Sequence, residues 1–298
     1  MNIVFIGSKE LGIICLRELL NKNFRVSNIF TLDDRADSRS CYRDFIKIAK
    51  QNKINLGINP KEDDLIKIIK SKNIDIILVC NWYKIISKDL IKLPKIGIFG
   101  IHNSLLPKYR GMSPLIWSAL SNDNFLGSTF FKFDEGMDTG DIVKQWKIIN
   151  DDLYIEEILK KLSSKIAKDL PQIFSNLMNN KTIYKKQNHK NSTYCNKRIP
   201  KDSKLEWSSL NSKDLLKRIK IFNHPYPLNF SLLGRKKIHI LKARLFKKKV
   251  DGIPGSLLHI NNKVVVCCFD KKGIEIEKAI DSKGKSIPLN RLKGRFSY

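Results

Sequence analysis

The spacing of apolar positions divides the chain into two parts. Up to about residue 180, short apolar runs typical of buried strands alternate with segments of helical periodicity. Such alternation is typical of βαβ units, so we predict an α/β fold with a doubly wound, mostly parallel sheet. The pattern predicts strands at 2–6, 26–31, 74–80, 96–99 and 128–133, and helices at 11–20, 45–51, 65–70 and 155–177.

Two prolines refine the helix predictions. Ser113 followed by Pro114 predicts the start of a further helix, because proline is favoured at the first helical position. Pro171 lies inside the long helical pattern at 155–177, where we expect it to kink or divide the helix.

The rest of the chain has a different pattern. Residues 178–204 are polar and lack strong periodicity, so the domain boundary is expected there. A helix is predicted at 215–222. Short strands separated by turn residues then predict a small β-barrel as a second, smaller domain, with strands at 237–241, 256–260, 263–269 and 273–276.

The charge is unevenly distributed between these parts. The net charge is +27, and residues 181–298 hold 29 Lys and Arg against 8 Asp and Glu, or +21, which leaves +6 for the first 180. A basic half favours a polyanionic partner such as RNA or a membrane surface. A solvated lysine surface explains the same charge equally well.

The cysteines and the apolar runs limit the classes of protein. The six cysteines are scattered without a C-x-x-C pair, so neither a zinc site nor a disulfide framework is indicated, and no metal is expected. No apolar run approaches the ~18 residues of a membrane span. The N-terminus has a strand pattern rather than a signal-peptide pattern. A cytoplasmic location is therefore expected.

Two polar clusters follow predicted strands. His102 is the second residue of the run IHNSLLPKYRG at 101–111, and Asp138 lies in FDEGMDTGD at 133–141. If the two strands are neighbours, His102 and Asp138 emerge at the same edge of the sheet. A carboxylate beside an imidazole fixes its tautomer and stabilises its protonated form, which suits acid–base chemistry.

These two motifs, in this order, resemble the folate-dependent formyltransferase family. That family includes methionyl-tRNA formyltransferase, amino-sugar-nucleotide N-formyltransferases and glycinamide ribonucleotide formyltransferase. The resemblance implies transfer of a formyl group from 10-formyltetrahydrofolate to a primary amine. It implies a catalytic domain at 1–180, a linker at 181–204 and an OB-like domain at 205–298. It also implies that His102 assists proton movement at the amine and that Asp138 orients His102.

The same resemblance implies two binding regions. The stretch at 82–86 resembles the family's pterin-binding segment, and the loop around Asp134 would close the other side of that pocket. An ordinary strand-to-helix connection at 82–86 is the alternative. The expected cofactor-binding residues are Trp82, Lys84, Ile85, Ile86, Asp134 and Gly136, and the expected substrate-binding residues are Tyr109 and Arg110.

One position departs from the family pattern. The family has Asn-x-His, with the asparagine polarising the formyl oxygen, whereas Gly100 stands two residues before His102. Losing one oxyanion donor costs on the order of 100- to 1000-fold in rate. Three outcomes stay open: rescue by Asn81 or Asn103, a weakened enzyme, or a lost activity.

Two acceptors fit the resemblance. The basic C-terminal half favours initiator tRNA, whose phosphates it could bind. A nucleotide-linked amino sugar fits better with Trp82-Tyr83, with the run at 107–111 and with the linker, where Arg198, Pro200 and Asp202 precede Glu206-Trp207. The amino-sugar acceptor is therefore favoured. An RNA-binding relative that has lost catalysis is the non-enzymatic alternative.

Overall fold

The computed structural model describes residues 2–121 and 123–297 and divides the chain into two compact units. The first comprises the chain up to Ser118, Phe125–Ile149 and Leu159–Asn196. The second comprises Ala119–Asn124, Asn150–Ile158 and the chain from Lys197 onward. The domain limits expected from the family resemblance stay a prediction.

The helices and strands of the first part follow one another as expected for an α/β fold. The strands are β1 Ile3–Gly7, β2 Val26–Thr31, β3 Asn55–Ile58, β4 Ile76–Cys80, β5 Gly97–His102, β6 Arg110–Gly111, β7 Phe125–Lys132, β8 Ile142–Ile149 and β9 Tyr194–Cys195. The helices are α1 Lys9–Asn21, α2 Tyr42–Gln51, α3 Glu62–Lys72, α4 Lys88–Ile91, α5 Pro114–Leu120 and α6 Ile155–Met178.

A seven-stranded sheet forms the centre of the first unit, in the order β3-β2-β1-β4-β5-β7-β8. The first five strands are parallel, and β7 and β8 are antiparallel to their neighbours. The predicted doubly wound, mostly parallel sheet is confirmed. Strand order reverses between β1 and β4, the kind of point beside which open α/β sheets bind ligands.

The strands β1, β4 and β5 are buried on both faces of the sheet, which explains their continuous apolar runs. In β1, Ile3 and Phe5 pack with residues of α1, α2 and α6, while Val4 and Ile6 pack with residues of α3 and α4 on the other face. Successive strand residues point to opposite faces, so each apolar run contributes to two cores.

The two predictions that involve prolines in helices have different outcomes. The helix α5 begins at Pro114 as predicted, after Ser113 in a left-handed conformation with φ 56°. Pro171 does not divide α6, which continues as a single helix of 24 residues. Leu170, Ile173 and Phe174 are buried around it, and this packing holds the helix together past the proline.

The second unit is an antiparallel six-stranded sheet in the order β12-β13-β14-β11-β10-β15. A bridge between Ser256 and Arg295 joins its two outer strands, so the sheet closes as a small barrel, as predicted. Its strands are β10 Ser231–Leu233, β11 Lys236–Phe246, β12 Leu257–Ile260, β13 Lys263–Cys267, β14 Gly273–Asp281 and β15 Phe296–Ser297, with helix α7 at Ser212–Ile221.

Apolar and polar contacts both hold the barrel. Trp207 is buried and stacks on Phe296 with ring centroids 5.6 Å apart, and its indole N–H donates to Ser231 Oγ.

Across the described residues, no helix combines the length and apolarity needed to cross a membrane.

Asn229 is a buried polar residue that should be essential to the stability of the barrel. Its amide N–H groups donate to the carbonyls of Ile219, Phe222 and Ile240, and its Oδ1 accepts from Ile240 N. We expect Asn229→Ala to lower the free energy of unfolding by about 2–4 kcal/mol, because these backbone groups would lose their partners inside the protein. Urea unfolding followed by circular dichroism measures the change.

Asn211→Ala is the matched control. Asn211 caps the N-terminus of α7 by accepting from Asp214 N, at an exposed position. Its loss should cost only about 1 kcal/mol. Equal costs for the two variants would contradict the assignment of Asn229.

Candidate active site

His102 and Asp138 lie side by side, as the two motifs predicted. His102 ends β5, and Asp138 lies in the loop between β7 and β8. His102 Nδ1 is 3.5 Å from Asp138 Oδ2, and the two side chains are 8% and 21% exposed. A nearly buried imidazole with an adjacent carboxylate is therefore present at the end of β5.

The route by which they meet differs from the prediction. β5 and β7 are neighbours but antiparallel, and His102 pairs with Thr129, so β7 ends at the opposite end of β5. Asp138 reaches His102 because the loop after β7 folds back. Gly140 is required in that loop, since a Cβ there would lie 1.8 Å from the carbonyl oxygen of Lys132.

The main chain of residues 109–111 contacts both side chains. His102 Nε2 is 2.7 Å from Tyr109 O, and Gly111 N donates to Asp138 Oδ2 over 2.8 Å. Both imidazole nitrogens thus face oxygen acceptors, and only the protonated ring donates to both. This arrangement suits a group that takes up a proton during a reaction and returns it later.

Arg110 and Tyr109, the expected substrate-binding residues, lie in different environments. Tyr109 lines a surface pocket, whereas Arg110 is only 1% exposed. The Arg110 guanidinium donates to Gln187 Oε1 over 2.7 Å and contacts His189 Nδ1 at 3.0 Å and Tyr194 Oη at 3.2 Å. The structure therefore does not support Arg110 as a direct substrate contact, because the protein interior already binds its charged end.

The pocket beside Tyr109 has a volume of about 670 Å³, within the range of small-molecule sites. Three aromatic side chains contribute flat apolar faces to the pocket, and one lysine contributes a positive charge. The lining residues are Lys108, Tyr109, Trp117, Thr193, Tyr194, Cys195 and Asn196. It adjoins the His102–Asp138 pair, because Tyr109 O is the contact of His102 Nε2.

Cys195 is an unreactive part of this lining. Burial, with a smaller contribution from the negative charge of Asp138, raises the pKa of its thiol to about 11. The thiol lies 3.3 Å from Arg110 O and 3.5 Å from Tyr109 O, to which it can donate. It stays neutral near pH 7, so a nucleophilic role is not indicated.

The expected pterin-binding stretch lines a second pocket, of about 360 Å³. Trp82, Lys84, Ile85 and Ile86 contribute to it, together with Pro60, Lys61, Glu62, Leu65 and Leu90. Trp82 provides a flat face, and Ile85 is 91% exposed and available for contact. The volume and the mixture of apolar faces, backbone groups and a carboxylate fit a bicyclic head group with polar edges.

The loop at 133–141 is tied to the same region. Asp134 Oδ1 accepts from Gly136 N and Thr139 Oγ1, which fixes the turn that carries Asp138. Glu135 forms ion pairs with Lys88 and Lys92, which follow the expected pterin-binding stretch. These lysines lower the pKa of Glu135, and the hydrogen bond with Lys88 is the largest cause. Exposed pairs of this kind contribute little stability but restrict the loop.

The space that the family asparagine would use is filled by a phenylalanine ring. An ideal Cβ at Gly100 would lie 2.4 Å from Phe133 Cε1 and 2.8 Å from its Cζ. Phe133 stacks on Phe131 at 5.0 Å, and Phe131 packs edge-on against the His102 ring at 6.5 Å. Gly100 is therefore part of a repacked apolar wall beside His102.

The two asparagines considered as replacements differ. Asn103 Oδ1 accepts from Ser128 Oγ over 3.0 Å. Asn81 follows Cys80, which pairs with Ile101, so the register places Asn81 beside His102. Asn81 has φ 50°, and its Oδ1 is buried without a hydrogen-bond partner in the described part of the chain. Strained residues with unpaired polar atoms are concentrated at functional sites.

The sequence analysis did not single out Gln187 and His189, whose side chains contact the Arg110 guanidinium. Both lie in the polar segment that was expected to be a linker, and no periodicity or motif singled them out. Within residues 2–121 and 123–297, no group of three His, Cys, Asp or Glu side chains could hold a metal ion.

Comparison with known proteins gives consistent matches over the whole chain. The profile of the formyl transferase family matches residues 1–176, and that of the formyl transferase C-terminal domain matches residues 198–295. Methionyl-tRNA formyltransferase of Clostridium tetani is 30% identical, covering 96% of this chain and 93% of that protein.

Two further matches have different names. The bifunctional polymyxin resistance protein ArnA of Wigglesworthia glossinidia brevipalpis is 31% identical over 99% of this chain and 46% of its own length. The crystal structure of WlaRD, a sugar 3N-formyltransferase studied with dTDP and 5-N-formyl-THF, superposes with a TM-score of 0.68. It is 21% identical and covers 95% of this chain and 98% of its own, a likeness of fold.

The contact between Gly100 and Phe133 should couple the two positions. We expect Gly100→Ala to cost about 1–3 kcal/mol of stability, because the new methyl group overlaps the Phe133 ring. The cost should shrink when Phe133→Leu removes the ring atoms, which makes the two substitutions non-additive. Chemical denaturation of the two single variants and the double variant measures this coupling.

Gly252→Ala is the control for this cycle, since a Cβ there would make only an ordinary contact of 3.7 Å with Cys267 Sγ. Additive costs at Gly100 and Phe133 would contradict the packing described.

Proposed function

The chain belongs to the formyl transferase family and is a folate-dependent formyltransferase, and we propose that its acceptor is the primary amine of a nucleotide-linked amino sugar. The observation that carries this proposal is the aromatic pocket beside the His102–Asp138 pair. Trp117, Tyr109 and Tyr194 offer faces on which a base or sugar ring can stack, and Lys108 can meet a phosphate.

The size of the pocket and its closeness to His102 support the same acceptor. A volume of about 670 Å³ accommodates a small molecule with several rings. The sugar N-formyltransferase WlaRD, studied with a nucleoside diphosphate, shares the fold over nearly the whole chain. A ligand held in this pocket lies next to Tyr109, whose carbonyl contacts the imidazole.

The formyl donor of the family is 10-formyltetrahydrofolate. When bound, it supplies an electrophilic formyl carbon attached to a nitrogen leaving group. We assign its pterin end to the pocket lined by Trp82, Lys84, Ile85 and Ile86, with the turn at Asp134 and Gly136 beside it. Trp82 would stack on the ring, and main-chain groups would meet its polar edge.

The chain's own groups handle the proton that the amine must lose. A bond forms between the amine nitrogen and the formyl carbon, the bond to the donor nitrogen breaks, and one proton passes from amine to leaving group. His102 takes up and returns this proton. Asp138, held by Gly111 N, keeps the protonated ring stable at that moment.

Gly100 has no side chain to donate a hydrogen bond to the formyl oxygen, so this donor has to come from another residue. We propose that the Asn81 carboxamide, beside His102 and unpaired at Oδ1, turns its amide N–H toward the oxygen that becomes negative in the transition state. Asn103 is the weaker candidate because its side chain already binds Ser128.

Methionyl-tRNA is the second candidate acceptor. It is favoured by the relative from Clostridium tetani, which this chain matches over 93% of that protein's length, and by the net charge of +21 from residue 181 onward. A basic surface would bind the phosphates of tRNA, and its contribution would fall as salt is raised.

Formyl transfer assayed in parallel on nucleotide-linked amino sugars and on methionyl-tRNA separates the two acceptors. We expect formylated sugar. The donor is 10-formyltetrahydrofolate, and the product is identified by mass spectrometry. His102→Ala and Asp138→Ala should each reduce the rate on the order of 100- to 10,000-fold while the far-UV spectrum is retained. Product on tRNA alone would overturn the acceptor proposal, and full activity in either variant would overturn the site.

Asn81→Ala and Asn103→Ala test the replacement donor. We expect Asn81→Ala to lower kcat on the order of 100-fold with little change in KM, because the lost contact forms in the transition state. Asn103→Ala should instead affect stability through Ser128. A fall in kcat in Asn103→Ala alone would give the role to Asn103.

A further inference from the structure

Arg110 is a buried cation whose function the acceptor and donor pockets do not explain. It is 1% exposed, no carboxylate in the described residues pairs with it, and its Nε is buried without a partner. Burying an unpaired charge costs several kcal/mol. Arg110 therefore neither stabilises the fold through an ion pair nor adds charge to the surface, and its role has to lie in the groups that it contacts.

Gln187 connects Arg110 to the loop that carries Asp138. It is 5% exposed, and its Oε1 accepts from Arg110 over 2.7 Å. Its Nε2 donates to Asp138 O over 2.9 Å and to Gly140 O over 2.7 Å. One amide side chain thus binds the guanidinium at one end and the main chain on both sides of Thr139 at the other.

The loop needs such support because its conformation is unfavourable. Asp138 has φ 54°, a left-handed conformation that a residue with a side chain rarely adopts. This conformation persists only where surrounding contacts impose it. The two carbonyls bound by Gln187 flank the turn, so their direction fixes where the Asp138 carboxylate points.

The other end of the connection is also fixed. Arg110 N donates to Thr193 O, and Met112 N donates to Cys195 O, so the strand β6 is anchored on β9. From this anchored strand, Tyr109 O contacts His102 and Gly111 N binds Asp138. The side chain of Arg110 and the main chain around it therefore act on the same pair of catalytic groups.

We propose that Arg110 and Gln187 are positioning residues that hold the Asp138 carboxylate against His102 and Gly111. The inference rests on the proposed roles of His102 and Asp138, and it replaces the expected contact between Arg110 and the substrate. Gln187 fixes the backbone of the Asp138 turn, and Arg110 fixes the Gln187 amide so that its donors face the two carbonyls.

The test uses the full chain carrying Gln187→Met, which keeps the length of the side chain and removes both hydrogen-bonding ends. We expect kcat to fall on the order of 10- to 100-fold, as expected for a misplaced catalytic group, while KM for the acceptor changes less than about threefold. Hydrogen exchange of the Gly111 amide should accelerate at least about tenfold, because its partner is the Asp138 carboxylate.

Gln187→Glu separates positioning from folding. A glutamate still accepts from Arg110 but has no N–H for the carbonyls of Asp138 and Gly140, so it should fold and still lose kcat and Gly111 protection. Arg110→Met should give the same loss.

Trp146→Phe is the matched control, since it removes a buried donor to Asp169 in the sheet core. It should leave both readouts unchanged.

The exchange measurement does not depend on activity and keeps this inference distinct from the proposed function. Fast Gly111 exchange in the Gln187 variants supports the positioning role even if the acceptor is assigned wrongly. Wild-type Gly111 exchange and kcat in both Gln187 variants would overturn it. Equal acceleration in Trp146→Phe would also overturn it, because the effect would then be general loosening.

Discussion

The hydrogen bond from Gly111 N to the Asp138 carboxylate is the constraint on which the site depends. It joins two segments that leave opposite ends of antiparallel neighbouring strands, and it places the carboxylate 3.5 Å from His102. The fold-back of the loop and the glycine at 140 bring Asp138 to this contact, and the Gln187 amide binds the main chain on both sides of Thr139. The pocket lined by Tyr109 adjoins the contact.

Much of the fold was predictable because β1, β4 and β5 are buried on both faces, so their apolar runs are continuous. The strand β3, Asn55–Ile58, was missed because it is a half-exposed edge strand without that pattern. The antiparallel direction of β7 could not be read from its own residues, because strand direction depends on the path of the connection after His102. The barrel strands β11 and β14 extend past their predicted ends, through stretches that mix charged residues with apolar ones.

The residues of the candidate site also differ in how clearly the sequence indicated them. His102 and Asp138 are polar residues in dense local motifs, which a sequence displays directly. Gln187 is an isolated glutamine in a polar segment, and its partners lie 47 to 77 residues away, so nothing local indicates its role. Arg110 was expected to bind the substrate because the run that holds it, at 107–111, resembles a motif of the family. Only the structure reveals that its charge is bound inside the protein.

Phe133 and Gly100 have a consequence for how this chain can change over generations. A side chain at position 100 would overlap the Phe133 ring, and a smaller residue at position 133 alone would leave a gap beside the imidazole. Each substitution alone carries a cost, so a side chain at position 100 is accommodated best when both positions change together. An engineered asparagine at position 100 would therefore need a smaller residue at position 133 beside it.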